Sequence, residues 1–384
     1  MMRPYRWLFP AWLLLAACSD AQHEQSQPDD VAGSGMLGAL SGEAEAEGYA
    51  RVTGQRDFDF PDDHGPHPDY RHEWWYVTGN LAADDGRRFG YQITFFRFNV
   101  SPDMGQRASP LAGNQVWMAH LALTDVDRER FLHEERLSRG SGLAGAAVEP
   151  FRVWLDDWRL SGGEGADPFP LRIQASADDF ALDLELEARK PLVLQGDAGY
   201  SRKGDAPGNA SFYYSWTRLA AAGELMLDGE EIAVSGTSWM DREWGTSTLS
   251  ENQRGWDWFS IQLDDGRDIM FYHLRLDDGG IEPRSKGLLV DADGDSRLLS
   301  LDDVELESRR YWESPAGDTR YPVAWRMILP GEGLELELDA QVDDQELRNG
   351  FRYWEGTIRV RGEGADGPVR GYGYAELTGY TTSD

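Results

Sequence analysis

The chain has 384 residues, enough for two domains of ordinary size, each with its own core, and it carries a formal charge of −31. That acidity opposes binding to nucleic acid or to anionic lipid headgroups, and a single cysteine excludes an internal disulfide. Only three of the 37 basic residues are lysine, so the acidity also fits a GC-rich or salt-adapted genome and need not mark a cationic substrate.

Arg3 and Arg6 precede an apolar run that ends in Leu15, Ala16, Ala17 and Cys18. This is the pattern of a lipoprotein signal peptide over residues 1–17, with Cys18 lipidated after cleavage. The other reading is an ordinary secreted protein whose leader contains a cysteine. Ser19 follows, where Asp is the residue linked to inner-membrane retention, so the expected address is the outer membrane, facing the periplasm. Residues 18–49 are polar and read as a flexible tether.

Residues 58–70, FDFPDDHGPHPDY, cannot continue a helix and suit a loop laid across the mouth of a barrel. Beyond His72, short alternating segments are broken at Asp85-Gly86, Asp228-Gly229, Asp265-Gly266, Asp278-Gly279, Asp293-Gly294 and Asp366-Gly367, which are hairpin signals. Residues 127–137 are the exception, where one short helix is expected. Regular strands with tight turns imply closed or nearly closed antiparallel barrels, because closure removes exposed edges.

Residues 234–245, VSGTSWMDREWG, have a weaker copy in residues 369–380, VRGYGYAELTGY. Both read Val, any residue, Gly, two residues, Trp or Tyr, one residue, then an acid. The acids are Asp241 and Glu376. A Thr, a Gly-Glu pair and an Asp-Gly turn precede both copies in the same order, and residues 73–95 and 256–274 open alike on tryptophans. The pattern argues for two copies of one β module, residues 50–250 and 251–384, dividing near Ser250. The second copy lacks the paired acid and second Trp, so it is expected to be mainly structural.

On a strand, Trp239, Asp241 and Glu243 point one way, and Met240, Arg242 and Trp244 the other. If the acid face looks into an apolar cavity, desolvation and repulsion raise at least one carboxyl pKa. A protonated acid among aromatic faces suits proton donation to an alkene, with the cation held by the rings. The alternative is that Asp241 or Glu243 pairs with Arg242 or another arginine and closes the barrel. The fifteen tryptophans carry the same two readings, barrel walls or a cavity lined for a flat or greasy ligand.

His64, His67 and His72 cluster with acids, but their spacing matches no zinc signature. No metal or cofactor is expected. His120 and His273 read as strand histidines satisfied by neighbours. The nearest approach to G-x-S-x-G, at residues 236–240, lacks its second glycine, and phosphate-loop and dinucleotide fingerprints are absent.

Residues 67–81 (HPDYRHEWWYVTGNL), 211–219 (SFYYSWTRL), 235–245 (SGTSWMDREWG) and 255–275 (GWDWFSIQLDDGRDIMFYHLR) together resemble the AttH-like secreted lipoproteins, grouped with the carotenoid 1,2-hydratase (hydroxyneurosporene synthase) family. The resemblance implies an all-β fold of two tandem lipocalin-like antiparallel barrels. Asp241 and Trp244 match the hydratase segment, although histidines flank its Asp where this chain has Met240 and Arg242. Fold therefore transfers better than substrate. The predicted-hydrolase label given to such lipoproteins finds no nucleophile here.

The expected function is a membrane-tethered protein that binds an isoprenoid or acyl ligand and hydrates a carbon–carbon double bond. The alternative is a non-catalytic lipid carrier or an accessory of an envelope export system. Asp241, Glu243, Trp239, Trp244 and Tyr272 are the catalytic candidates. Trp74, Trp75, Tyr214, Trp256, Trp258 and His273 are the ligand-binding candidates.

Overall fold

Strands of β-branched and aromatic residues, separated by Asp-Gly turns, fold into two antiparallel sheets. The computed structural model describes residues 47–102, 114–140, 142–247, 249–317 and 319–380; the leader, Cys18 and nearly all of the tether lie outside them. At Asp228-Gly229 both residues take positive φ (53° and 82°), the conformation of a tight hairpin turn.

The first sheet contains β1 (His72–Ala83), β2 (Arg88–Asn99), β3 (Gln115–Asp125), β4 (Arg130–Ser138), β5 (Ala144–Ala147), β6 (Arg152–Leu155), β7 (Trp158–Ser161), β8 (Leu171–Ser176), β9 (Phe180–Ala188), β10 (Val193–Leu194), β11 (Tyr200–Arg202), β12 (Ala210–Leu227) and β13 (Glu230–Ser247). Its order is β4-β3-β2-β1-β13-β12-β9-β8-β7-β6-β5, with β10 and β11 also on β12. It curls into a nearly closed barrel. Arg136 of β4 bridges the seam, bonding the Ser176 carbonyl at 3.0 Å and lying 4.2 Å over Trp158.

The second sheet contains β14 (Gln253–Leu263), β15 (Asp268–Leu276), β16 (Lys286–Val290), β17 (Ser296–Ser300), β18 (Glu305–Glu313), β19 (Arg320–Leu329), β20 (Leu334–Ala340), β21 (Glu346–Arg348), β22 (Arg352–Gly364) and β23 (Gly367–Leu377). Its order, β17-β16-β15-β14-β23-β22-β20-β19-β18, makes a half-barrel. Each sheet encloses its own apolar core, so the fold is all-β and built as two lipocalin-like barrels in tandem.

Residues 127–137 are not helical. A turn with Glu129 at φ 51° leads into β4, and ladder pairing with β3 along its whole length overrides weak helical propensity. Residues 58–64 pack into the first core, with Phe58 5.7 Å from Trp244 and Phe60 5.4 Å from Tyr214, ring to ring.

The repeat read from the sequence occupies equivalent strands. Asp241 pairs with Tyr76 of β1, and Glu376 with Trp258 of β14. The two copies pack face to face through a third apolar cluster that includes Tyr76, Tyr213, Trp239, Trp258, Tyr272 and Tyr374. Asn80 Nδ2 donates to the Gly373 carbonyl (3.1 Å) and Gln262 Nε2 to the Ser238 carbonyl (2.9 Å). These are the same bond made in each direction across a pseudo-twofold.

Candidate functional site

Alternation along β13 decides what each side chain meets. The first half of the strand has an exposed outer face, whereas from Ser238 onward both faces are buried. Met240 and Trp244 enter the first core, while Trp239, Asp241 and Glu243 point at the second module.

A cavity of about 60 Å³ lies between the modules. Trp74, Tyr76, Phe96, Tyr213, Trp256, Trp258, Tyr272 and Leu274 form its walls, and Asp241, Glu243, Glu376, Lys203 and Thr94 supply polar groups.

Register lines these groups into two facing rows. On the first sheet, Ser215, Asp241, Tyr76, Thr94, His120 and Glu135 are consecutive cross-strand partners over six strands. On the second, Glu355, Glu376, Trp258, Tyr272, Lys286 and Ser300 hold the corresponding positions. Where the first row has Ser215 beside its acid, the second has another acid, Glu355.

Asp241 accepts hydrogen bonds from Ser215 Oγ (2.5 Å), Tyr213 Oη (2.6 Å) and Trp239 Nε1 (2.7 Å). Burial nevertheless pushes its pKa up to about 7, with the charge of Glu243 adding to the effect against those three donors. Glu376 is pushed up to about 8, by burial first and then by Asp241 and Glu243, against a hydrogen bond with Trp256. Glu355 rises well above the usual carboxylate range through burial and the neighbouring Glu376, although it accepts a hydrogen bond from Tyr76.

Glu243 accepts a hydrogen bond from Ser211 and pairs with buried Lys203 at 3.1 Å. Burial works against the Lys203 charge, but Glu243 and Tyr272 hold its pKa above the usual lysine value. Lys203 also sits 4.3 Å over the Tyr272 ring. Two protonatable acids and an ion pair therefore share an aromatic cavity.

Trp74, Trp256, Trp258, Tyr272, Asp241 and Glu243 come together at this cavity, and Trp239 reaches it through its bond to Asp241. Four other candidates lie elsewhere. Trp75 and Trp244 are neighbours in sequence of Trp74 and Glu243, so strand alternation turns them into the first core. Trp244 stacks on His67 at 3.8 Å, and Tyr214 bonds His64 at 2.7 Å. His273, flanked by Tyr272 and Leu274, turns to the opposite face beside Phe271, 5.3 Å ring to ring.

Arg242 pairs with Glu73, which also binds Arg97, and all three are fully buried. It therefore does not pair with Asp241 or Glu243. His64, His67 and His72 bond or stack with different partners, and no group of three His, Cys, Asp or Glu among the described residues is placed to hold a metal ion.

Sequence reasoning missed Lys203, Tyr213, Glu355 and the part played by Glu376. One signal was available for Lys203: in a chain that uses arginine almost everywhere, each of its three lysines is out of the ordinary. Lys190 and Lys203 are buried against Asp268 and Glu243, and Lys286 is part-buried in the second row. Glu376 gave only an acid in a weaker repeat, because nothing in one strand's sequence says that the other module's acid faces it.

The AttH-like family model matches residues 51–380. A protein described as an AttH, from Nitrosomonas europaea, is 37% identical, with TM-score 0.76 over 86% of this chain and 100% of its own. Kievitone hydratase from Nectria haematococca shares the fold at 18% identity and TM-score 0.64, over 88% of this chain and 98% of its own. CghA, solved with Sch210972, does so at 12% identity and TM-score 0.50, over 89% and 97%. No curated protein matches the chain in sequence. With the family model spanning nearly all of the folded chain, the protein belongs to the AttH-like family.

Proposed function

We propose that the protein holds an apolar molecule between its two modules and adds water across a carbon–carbon double bond, with Asp241 as the acid. One observation carries this reading: a buried carboxyl group with its pKa raised to about 7 faces a cavity walled by aromatic rings. The hydratase named among the fold relatives agrees with it.

In the reaction, the Asp241 proton forms a C–H bond with the alkene π electrons, leaving a cation on the neighbouring carbon. Trp74, Trp256, Trp258 and Tyr272 are the rings placed to steady it, the indoles best. Water attacks the cation and its surplus proton passes to a carboxylate. Glu243, held by Lys203, is the base nearest that role, and proton return to Asp241 completes the cycle. Trp244, in the first core, takes no direct part.

The ligand is expected to be an isoprenoid or acyl lipid, delivered to a protein tethered through Cys18 at the outer membrane. A second reading has its own support. Three donors already satisfy Asp241, an arrangement that also suits a structural acid in a lipid carrier or export accessory.

The deciding experiment incubates the full chain with total envelope lipids in oxygen-18 water and follows the extract by mass spectrometry. A lipid that gains one labelled water with wild type and not with Asp241→Asn supports hydration. Equal gain with both removes Asp241 from the chemistry, and an unchanged lipid retained by both makes the protein a carrier.

A further inference from the structure

The first polar row runs on past the cavity to the sheet's outer edge. His120, fully buried on β3, lies between two partners: Nδ1 is 2.8 Å from the Tyr353 hydroxyl and Nε2 is 3.0 Å from Glu135 Oε2. Glu135 is the only one of the three with a path to solvent, its side chain 13% exposed. At the inner end, Glu355 lies within reach of the Tyr353 hydroxyl. One of its oxygens accepts from Tyr76, while Oε2 has no well-formed hydrogen bond. Tyr353 comes from the second module and His120 from the first, so the chain of groups exists only when the modules are docked.

A buried histidine bonded on both ring nitrogens, between a phenol and a part-exposed carboxylate, is built to pass protons. The groups around it fit that use. The Phe96 ring lies 5.4 Å away and screens the near side, and His133 on β4 has its pKa lowered by burial first, with the charge of Arg348 adding to it. The Glu135 pKa is held below the usual value, burial being outweighed by the contact with His120, so this group is ionised at neutral pH and passes a proton on to solvent readily.

We propose that Glu135, His120 and Tyr353 form a proton path between solvent and the buried acid pair Glu355 and Glu376, open even when a ligand plugs the cavity mouth. The inference rests on the hydratase reading, in which Glu376 shares the cavity with Asp241 and Glu355 is its cross-strand partner, so the path would keep the acids beside the catalytic one in exchange with solvent. In the tautomer that satisfies both contacts, Nε2–H donates to Glu135 and Nδ1 accepts from Tyr353. When Glu355 gives up its proton to the Tyr353 oxygen, the phenolic proton passes to Nδ1 and the Nε2 proton to Glu135. Each group then ends with the number of protons it began with, except Glu355 and Glu135. The reverse sequence reloads Glu355. His120 and Tyr353 are positioning and relay residues, because they do not touch the cavity.

The test needs no substrate, so its failure is separable from failure of the hydratase reading. Infrared spectroscopy of the full chain after transfer to heavy water follows hydrogen–deuterium exchange at the protonated carboxyl of Glu355, identified as the band missing in Glu355→Gln. His120→Asn and Glu135→Gln are each expected to slow that exchange about tenfold or more, leaving the band's frequency and titration midpoint in place. A merely structural histidine would shift frequency or midpoint and leave the rate alone. Exchange at the wild-type rate in both variants, or no protonated Glu355 band at neutral pH, overturns the proposal. Glu135→Gln, at the sheet edge, decides the matter should His120→Asn fail to fold.

Discussion

Asp241 and Glu376 hold protons in the folded chain at pH values where an unfolded chain has lost them. The folded state then binds more protons, so these two acids make stability fall as pH rises, from about 4 to about 7 for Asp241 and from about 4.5 to about 8 for Glu376. At about 1.4 kcal/mol per pKa unit, each is expected to cost a few kcal/mol at pH 8 relative to pH 4. Asp241→Asn removes one such charge while its amide still meets the three donors or their oxygens. Urea unfolding is expected to show the variant more stable than wild type at pH 8 and close to it at pH 5. Greater loss at pH 8 than at pH 5 would contradict a raised Asp241.

Glu73 works in the opposite sense. Its pKa is held well below the usual value: burial opposes this, but Arg97 and Arg242 outweigh it. The stability it contributes is present above about pH 4.5 and fades as the pH falls further. The two effects together place maximum thermal stability on the acid side of neutrality. Glu73→Gln leaves two buried guanidiniums without their counter-charge and is expected to cost about 3–5 kcal/mol in urea unfolding. Neither effect needs a substrate to be measured.

Within single strands, the repeated Val-x-Gly has a steric cause. A Cβ on Gly236 would stand 2.0 Å from the Asn80 carbonyl oxygen, and one on Gly371 2.3 Å from that of Gln262. Asn80 and Gln262 hold equivalent positions on β1 and β14 and also make the reciprocal bonds between modules. The glycines thus let the strands approach closely where the modules dock. Gly236→Ala and Gly371→Ala are each expected to lose about 1–3 kcal/mol, read as a lowered Tm. Gly331→Ala, with nothing within 4 Å of the added carbon, is the control expected to leave Tm unchanged.

Alternation was legible in the same strands, yet four candidates, Tyr214 among them, lie on the face away from the cavity. Trp75 and Trp244 fall on the face opposite their neighbours, and His273 does likewise on β15. An aromatic run shows that both faces of a strand are buried, and it does not show which of them meets a ligand. The strand at β4 was missed for a related reason, since its ladder partner β3 is supplied by the tertiary fold.

Over the whole molecule, the modules share a cavity, a cluster of aromatic residues and a reciprocal pair of hydrogen bonds, so they are expected to unfold together. Near-ultraviolet circular dichroism of the tryptophans and far-ultraviolet dichroism of the strands should give one coincident denaturant transition in wild type. Asn80→Ala combined with Gln262→Ala removes both reciprocal bonds between the modules, at about 0.5–1.5 kcal/mol each, and is expected to separate the two signals. A wild type that already unfolds in two steps would show the docking to be weak.

The sequence by itself determined the all-β class, the duplication and the side of β13 on which Asp241 and Glu243 lie. These follow from local rules: a period of two, turn chemistry, and one motif written twice. Only the tertiary structure decided that Glu376 of the second copy shares the cavity with Asp241, with Glu355 as its cross-strand partner, that Lys203 neutralises Glu243, and that His120 meets Tyr353. The physical reason is that each of these is a contact between elements far apart in the chain. A charge buried at such a contact is fixed by what the other element brings to it, and no single stretch of residues carries that information.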